Sequence, residues 1–450
     1  MTFNLKTFPN QDYILSPQKA INQTIIDKGG KKYLDLTAGG TSFALIGYGN
    51  KKVEDAIIEQ LRKFPHLDCK SFDDSNREEL SKILINSSDA YKGSNRKVFF
   101  SGGSGAEAIE MAMHMSYQWH YEKGFKNKKW FLSRNQSYHG ATSGALSIGE
   151  RPNLEFFRPL QANKRVRVSE CNYQKNKHKN ETELDYTDRL VNELKKTIEE
   201  IGGENICAFI GETIMGGLVG DVPPTKYYWE KVHKLCKEYD IHLILDEIWC
   251  GTGSSGKYHC FEYDNVMPEF LILGKSLGCG YIPISAVIVD GEFEETIKNG
   301  SKRIETSCTF QGHSVAVASS LAVQKIITSD TFIYDVYKKG NYIRDSLKSL
   351  LGDHEFIKDI RGRGVRNSIE YQTGNNQLFS KLLTERMFNE KNIIISSKWH
   401  RTSFSHAMTI NMQEIDYYLE SFYDSFIKVA DSNEWLKNKN TKLKKFRQFF

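Results

Sequence analysis

Residues 271–289 read LILGKSLGCGYIPISAVIV and set the expectation for the whole chain. Two apolar, β-prone runs flank a loop that holds one lysine, Lys275, among glycines. A lysine held at the end of a buried strand loses solvation, which lowers its pKa toward that of a nucleophilic amine. The stretch therefore predicts a strand, a loop presenting a reactive amine, and a second strand.

A second apolar run, Ile241–Ile248, ends on acids and includes Asp246. A carboxylate at the end of a buried strand can pair with a protonated pyridine nitrogen. Two simpler interpretations stay open at this point, namely a helix cap for Asp246 and a solvated surface amine for Lys275. The two residues in this order nevertheless justify looking for further parts of one site.

Length and composition favour a large folded protein. The chain has 450 residues, of which 39% are hydrophobic and 26% charged, which is ordinary for a globular protein. This length allows either a large α/β domain with a smaller one or two to three domains. The net charge of +5 is spread along the chain and gives no reason to expect a nucleic-acid surface. No apolar run approaches the length of a membrane-spanning helix, so we expect no membrane-spanning segment.

The eight cysteines show neither a CxxC motif nor regular spacing. This pattern predicts no metal site and no disulfide framework, and with no signal-like N-terminus it favours a cytoplasmic protein. The basic segment 437–447 is compatible with a frayed, solvated terminus or with a membrane or partner contact.

A glycine-rich turn follows the predicted strand Lys97–Phe100. Ser104, with Glu107 three residues later, is a capping-box signature that places a helix start there, and the glycines allow backbone N–H groups to approach an anion. The turn can form a phosphate-binding site or can simply be a tight connection. It matches neither the dinucleotide nor the P-loop pattern.

Further strand ends carry polar or aromatic residues. Tyr138 and His139 follow a predicted strand at Trp130–Ser133, and Glu212 ends the apolar run from Ile206. Tyr138 is placed to stack on a flat ring, while a lone histidine is more often structural. Alternating strands and helices predict a mostly parallel sheet, whose carboxyl edge would gather Glu212, Asp246 and Lys275.

Outer segments complete the expected organisation. Ser42 and Phe43 lie in a glycine-punctuated loop and either line a substrate pocket or pack internally, and Thr309 either donates to a phosphate or helps cap the following helix. From about residue 330 the pattern changes to longer helices and short strands. We therefore expect a separate C-terminal domain (329–450) after a large domain that ends near residue 328.

In this order, the motifs Ser-Gly-Ala-Glu, Tyr-His-Gly, Leu-Asp-Glu and Gly-Lys-Ser-Leu-Gly resemble the class III (ω-amino-acid type) aminotransferases of fold type I, enzymes that use pyridoxal 5′-phosphate (PLP). The resemblance implies a ping-pong transamination between an amine or amino acid donor and a keto acid or aldehyde, through an internal aldimine on Lys275. It also implies a large α/β domain (61–328) with a mostly parallel sheet, and a smaller α+β domain built from an N-terminal segment (1–60) and the C-terminal part (329–450). An obligate homodimer with shared active sites is implied as well.

The family carries over site roles residue by residue. The resemblance implies that Asp246 binds the pyridine nitrogen, that Ile248 and Tyr138 pack on the two ring faces, and that Glu212 with His139 beside it orients the pocket. The implied phosphate-binding residues are Gly105, Ala106 and, from the neighbouring subunit, Thr309, and Ser104 is a further implied cofactor-binding residue.

Several positions depart from the family pattern. The common Glu-Pro-Val-Gln-Gly is Glu212-Thr213-Ile214-Met215-Gly216 here, so Met215 replaces a glutamine near the cofactor's phenolic oxygen, and Gly217 occupies the place of a glutamate in some members. Arg401 is the candidate carboxylate anchor, in altered surroundings. An aminomutase, racemase or phospholyase on the same fold is the alternative, because these reactions need the same lysine and aspartate. A non-catalytic binding or scaffold relative is a more distant alternative.

Overall fold

The structure is a computed structural model that describes residues 7, 14–150, 155–162, 164–373, 377–432 and 434–436. The basic segment 437–447 lies outside the described residues. The strands, in chain order, are β1 (Pro17–Ile21), β2 (Thr24–Asp27), β3 (Lys32–Asp35), β4 (Lys97–Phe100), β5 (Trp130–Arg134), β6 (Arg165–Val168), β7 (Ile206–Glu212), β8 (His242–Asp246), β9 (Phe270–Leu273), β10 (Ala286–Val289), β11 (Ile357–Arg363), β12 (Arg366–Tyr371), β13 (Ile393–Ile394), β14 (Ser396–Lys398) and β15 (Arg401–Phe404).

The α-helices of the described residues surround and connect these strands. They are α1 (Lys51–Lys63), α2 (Ser75–Asn86), α3 (Gly105–Glu122), α4 (Ser143–Ile148), α5 (Tyr173–Asn176), α6 (Glu183–Ile201), α7 (Tyr228–Glu238), α8 (Gly291–Asn299), α9 (Ser314–Ile327), α10 (Phe332–Leu351), α11 (Leu378–Lys391) and α12 (Met412–Ser432). Among the residues described, no helix is both long and apolar enough to cross a membrane.

The centre of the fold is a seven-stranded sheet in the order β4-β10-β9-β8-β7-β5-β6. Neighbours from β9 through β6 pair in parallel, whereas β10 pairs antiparallel with both β4 and β9. The predicted mostly parallel α/β sheet is therefore confirmed. Its central strands β7, β8 and β9 are fully buried and mostly apolar because helices cover both faces, as in other buried parallel sheets.

Register brings three strand ends together. Glu212 on β7 lies opposite Asp246 on β8, and Asp246 lies opposite Ile272 on β9, whose chain continues to Lys275. Since parallel strands expose their carboxyl ends at one edge, these three side chains meet at the place where open α/β sheets bind ligands.

The helix that follows β4 begins where the capping box predicts. The Ser104 hydroxyl accepts from the Ala106 N–H (3.2 Å), and the Glu107 carboxylate accepts from the Ser104 N–H (2.8 Å). These two contacts satisfy N–H groups that a helix start leaves unpaired, and they fix the end of α3 beside the sheet edge.

Two smaller sheets join the ends of the chain. The sheet β1-β2-β3-β13 pairs β3 in parallel with β13, and the sheet β11-β12-β15-β14 is antiparallel. Leu36, just after β3, packs into the apolar cluster formed by α10, α11 and α12. The division of the chain near residues 60 and 328 stays a prediction, and this N- to C-terminal pairing supports it.

Candidate active site

A cavity of about 910 Å³ opens at the carboxyl edge of the large sheet. Eleven residues singled out from the sequence line it together. They are Ser42, Phe43, Ser104, Gly105, Ala106, Tyr138, His139, Glu212, Asp246, Ile248 and Lys275. Residues far apart in the chain thus meet in one site.

Lys275 presents its amine to this cavity from the turn after β9. Its backbone has φ +36°, in the left-handed region that a residue with a side chain adopts only at a cost, and such strain is often found at functional sites. Loss of solvation lowers the pKa of the amine to about 8; the Arg366 charge acts in the same direction, whereas Asp246 and Glu212 oppose it. A substantial fraction of the amine is therefore neutral near pH 8, which is the form that attacks a carbonyl.

Asp246 is held by two hydrogen bonds at the end of β8. Its Oδ2 lies 2.8 Å from His139 Nδ1, and its Oδ1 accepts from the Ile248 N–H at 3.0 Å. Both side chains are buried, and His139 Nε2 has no hydrogen-bond partner within the described residues. The resemblance placed His139 beside Glu212, whereas its hydrogen bond goes to Asp246.

Glu212 links two loops at the same edge. Its carboxylate accepts from the Gly216 N–H (3.2 Å) and the Tyr138 N–H (3.4 Å). Burial raises its pKa to about 7, the Asp246 charge adds to the rise, and His139 and Arg134 oppose it. Glu212 thus carries a proton part of the time at neutral pH and positions the loops that bear Tyr138 and Gly216.

The start of α3 forms a close-fitting backbone cradle. A Cβ on Gly105 would stand 2.5 Å from Ile248 Cδ1, and one on Gly140 would stand 2.4 Å from Ala106 Cβ. Glycine at these positions lets the loops approach the helix start, where backbone N–H groups and the helix dipole favour an anion.

Two predicted residues lie outside the cavity of their own chain. Arg401 on β15 is buried and donates from Nη2 to the Gly217 carbonyl (2.9 Å); burial and the Arg361 charge lower its pKa to about 10. Gly217, but not Arg401, lines the cavity. Thr309 is exposed, and its carbonyl oxygen lies 3.3 Å from His66 Nε2.

Gly217 and Met215, which both depart from the family pattern, lie in different surroundings. Gly217 faces open space at the cavity wall, where an added Cβ would meet no atom within 4 Å. Met215 is buried in a small apolar cluster with Val219 and Val222 and does not line the cavity.

Sequence reasoning missed two residues with a charged or aromatic side chain that line the cavity. The Trp249 ring lies 5.2 Å from Lys275 Nζ, and Lys398 on β14 donates to the Gly217 carbonyl at 3.3 Å. Trp249 directly follows Ile248, the residue predicted to pack on the cofactor ring, so its position in the sequence could have predicted that it lines the cavity. For Lys398 the sequence offers no comparable signal, because a short strand from the C-terminal part brings it to the site.

Comparisons with known proteins agree with this geometry. A family model described as aminotransferase class-III matches residues 8–426. The chain is 34% identical over 361 residues to an aminotransferase of Gibberella zeae (79% of this chain, 70% of the relative) and 34% identical over 363 residues to gamma aminobutyrate transaminase 2 of Solanum lycopersicum (78% and 77%). A solved omega transaminase from Pseudomonas jessenii, in complex with PMP, is similar with a TM-score of 0.86 and 27% identity over 93% of each chain.

Proposed function

This chain belongs to the class III aminotransferases, and from that premise we propose that Lys275 is the residue that carries out its transamination. The enzyme is a PLP-dependent aminotransferase that moves an amino group from an amine or amino acid to a keto acid. Aldehyde acceptors and the ping-pong order are parts of the proposal.

The residues at the cavity fit the cofactor. Lys275 supplies an amine whose pKa is lowered to about 8, Asp246 supplies a buried carboxylate for the ring nitrogen, and the cradle at Gly105 and Ala106 suits a phosphate. Tyr138 and Ile248 line the space between them. When bound, the cofactor supplies an electron sink for the bond-breaking step.

Each side chain has a separate task in this proposal. The neutral Lys275 Nζ would hold the cofactor and would take up and return the proton that moves during transfer. Asp246 would place a negative charge beside the cofactor's ring nitrogen. Its hydrogen bonds with His139 and the Ile248 N–H fix the orientation of the carboxylate. Glu212 ties the Tyr138 loop to the Gly216 loop.

One observation carries the proposal, namely the Lys275 amine and the Asp246 carboxylate at neighbouring strand ends in one cavity. We expect the purified protein with added PLP to show a visible absorbance band that one amine donor converts. Lys275→Ala should abolish both the band and turnover, whereas Lys325→Ala, on the exposed side of α9, should preserve both. Normal turnover by Lys275→Ala would refute the assignment.

Acceptor consumption separates transamination from the related reactions. An aminotransferase consumes a separate keto acid or aldehyde in proportion to donor, whereas an aminomutase, racemase or phospholyase turns over a single substrate. Product formation without an added acceptor would therefore favour the alternative.

The proposal extends to a homodimer that shares its active sites. Thr309 supports it, because this exposed residue lies outside its own chain's cavity and neighbours Phe310, a phenylalanine that is 64% exposed. We further propose that Ser42 and Phe43 contact substrate and that Arg401 anchors a carboxylate. A cytoplasmic location completes the proposal and is supported by eight free cysteines, all among the described residues.

A further inference from the structure

Two cations lie against the indole of Trp249, which lines the cavity. Lys275 Nζ lies 5.2 Å from the Trp249 ring centroid, and the guanidinium carbon of Arg366 lies 4.4 Å from the same centroid. The two charged groups are thus within about 10 Å of each other, a distance at which charges inside a protein still interact appreciably. Arg366 belongs to β12, far from Lys275 in the chain.

β12 holds this indole at two points. Arg366 stacks on the ring, and Ser368, two residues on and therefore on the same face of the strand, donates to Asp221 Oδ2 (2.7 Å). Asp221 Oδ1 accepts from Trp249 Nε1 at 2.7 Å. Gly216 also packs closely against this indole, since a Cβ on Gly216 would stand 2.6 Å from Trp249 Cγ.

The surroundings of Arg366 are unusual for a structural arginine. The residue is fully buried, Nη2 donates to the Ser42 carbonyl (3.3 Å), and Nε and Nη1 have no hydrogen-bond partner in the described part of the chain. Arg366 also makes no ion pair with any carboxylate among those residues, although burying an unpaired charge is costly. Packing alone does not account for a guanidinium in this position.

We propose that Arg366 is a positioning residue for Lys275, which fixes Trp249 beside the amine and, by its own charge, favours the neutral form of that amine. The inference rests on the proposed role of Lys275. Arg366 itself stays charged, because burial lowers its pKa only to about 10, with Asp221 opposing the shift.

The other groups that face Lys275 act in the opposite direction. Loss of solvation is the largest influence on its pKa; Arg366 from β12 also lowers it, whereas Asp246 from β8, Glu212 from β7 and Cys250 from the turn after β8 raise it. Arg366 is thus the one charged group among these that favours the neutral amine. At an effective dielectric of about 20, its removal should raise the pKa of Lys275 by roughly one unit.

The test compares Arg366→Met with the wild-type holoenzyme by measuring the visible absorbance of the bound cofactor as a function of pH. The midpoint of this titration reports protonation at the Lys275 nitrogen. We expect the midpoint to move up by roughly one pH unit in Arg366→Met, and to stay near the wild-type value in Arg366→Lys, which retains the charge. Arg366→Gln is a second neutral variant that can still donate to the Ser42 carbonyl, in case the methionine variant does not fold.

The matched control is Arg363→Met, from the strand that precedes Arg366. Arg363 also stacks on an aromatic ring, that of Tyr263 (4.6 Å) rather than Trp249, and pairs with Asp264 (2.9 Å). Its loss should lower thermal stability and leave the midpoint unchanged. This result would separate the effect of the Arg366 charge on the midpoint from the effect of a general destabilisation of β11 and β12.

A second readout needs no bound cofactor. In the full chain freed of cofactor, an amine-selective acylating reagent should label Lys275 about fivefold more slowly at pH 8 in Arg366→Met than in wild type, as measured by peptide mass spectrometry. An unchanged midpoint and labelling rate in both neutral variants, or an equal shift in Arg363→Met, would overturn the inference. Absence of any absorbance band in wild type would instead overturn the proposed function.

Discussion

The charge of Asp246 is the residue-scale feature on which transfer should depend most after Lys275. In Asp246→Asn, the side chain keeps its size and can still bond to His139 and to the Ile248 N–H, but it loses the negative charge. We expect the rate of the donor half-reaction to fall by about 100-fold or more, since an aimed charge at the reacting system is removed. Single-turnover absorbance measurements check this.

Asp290→Asn is the control for that substitution. Asp290 caps α8 through the Glu292 N–H, away from the cavity, so its change should affect stability but not the half-reaction. A rate in Asp246→Asn close to that of wild type would show that the Asp246 charge is not used.

Single residues differed in how well the sequence predicted them. Lys275, Asp246 and Glu212 were predictable, because each ends an apolar run and parallel strands gather their ends at one edge. Arg366 and Lys398 were not, since strands from the C-terminal part bring them to the site. Arg401 shares a strand face with Ser403, which lines the cavity, but the loop at Gly217 covers it.

At the scale of elements, the contact between Gly140 and the start of α3 holds the anion cradle closed. Gly140 has φ +135°, and in Gly140→Ala the new Cβ would stand 2.4 Å from Ala106 Cβ and 2.9 Å from its Cα. We expect the free energy of unfolding to fall by about 2 kcal/mol or more, because both the backbone and the packing are strained. Urea unfolding measures this, and PLP affinity should fall as α3 is displaced.

Gly124→Ala is the matched control, because Gly124 has φ +89° but open space around its Cα. It should lose only the backbone contribution of about 1 kcal/mol and bind PLP normally. Equal losses of stability and affinity in the two variants would contradict the role given to Gly140.

Whole elements were predicted best where the local signal was strong. The runs Lys97–Phe100 and Ile206–Glu212 form strands with those bounds, and the capping box at Ser104 marks the start of α3. The antiparallel position of β10 between β4 and β9 was not predictable, because an apolar run reads the same whichever way its strand points.

At the scale of the whole molecule, the resemblance predicts a dimer in which each active site takes residues from both chains. The cavity contains Lys275 but not Thr309, so the two residues act on one cofactor only if Thr309 comes from a partner. If the proposed shared site is correct, Thr309→Glu would place a carboxylate near the phosphate, and the two negative charges would repel each other. Both Lys275→Ala and Thr309→Glu should then be inactive as homodimers.

Hybrid dimers decide between shared and separate sites. If sites are shared, a doubly tagged hybrid of Lys275→Ala with Thr309→Glu contains one intact site and should have about half the wild-type activity. A hybrid of wild type with the chain carrying both substitutions should be inactive, because its one remaining Lys275 would share a site with the glutamate at position 309. Separate sites give the reverse pattern, since the first hybrid then has no intact chain and the second has one. Activity assays on the two purified hybrids therefore distinguish the arrangements by which of them is active.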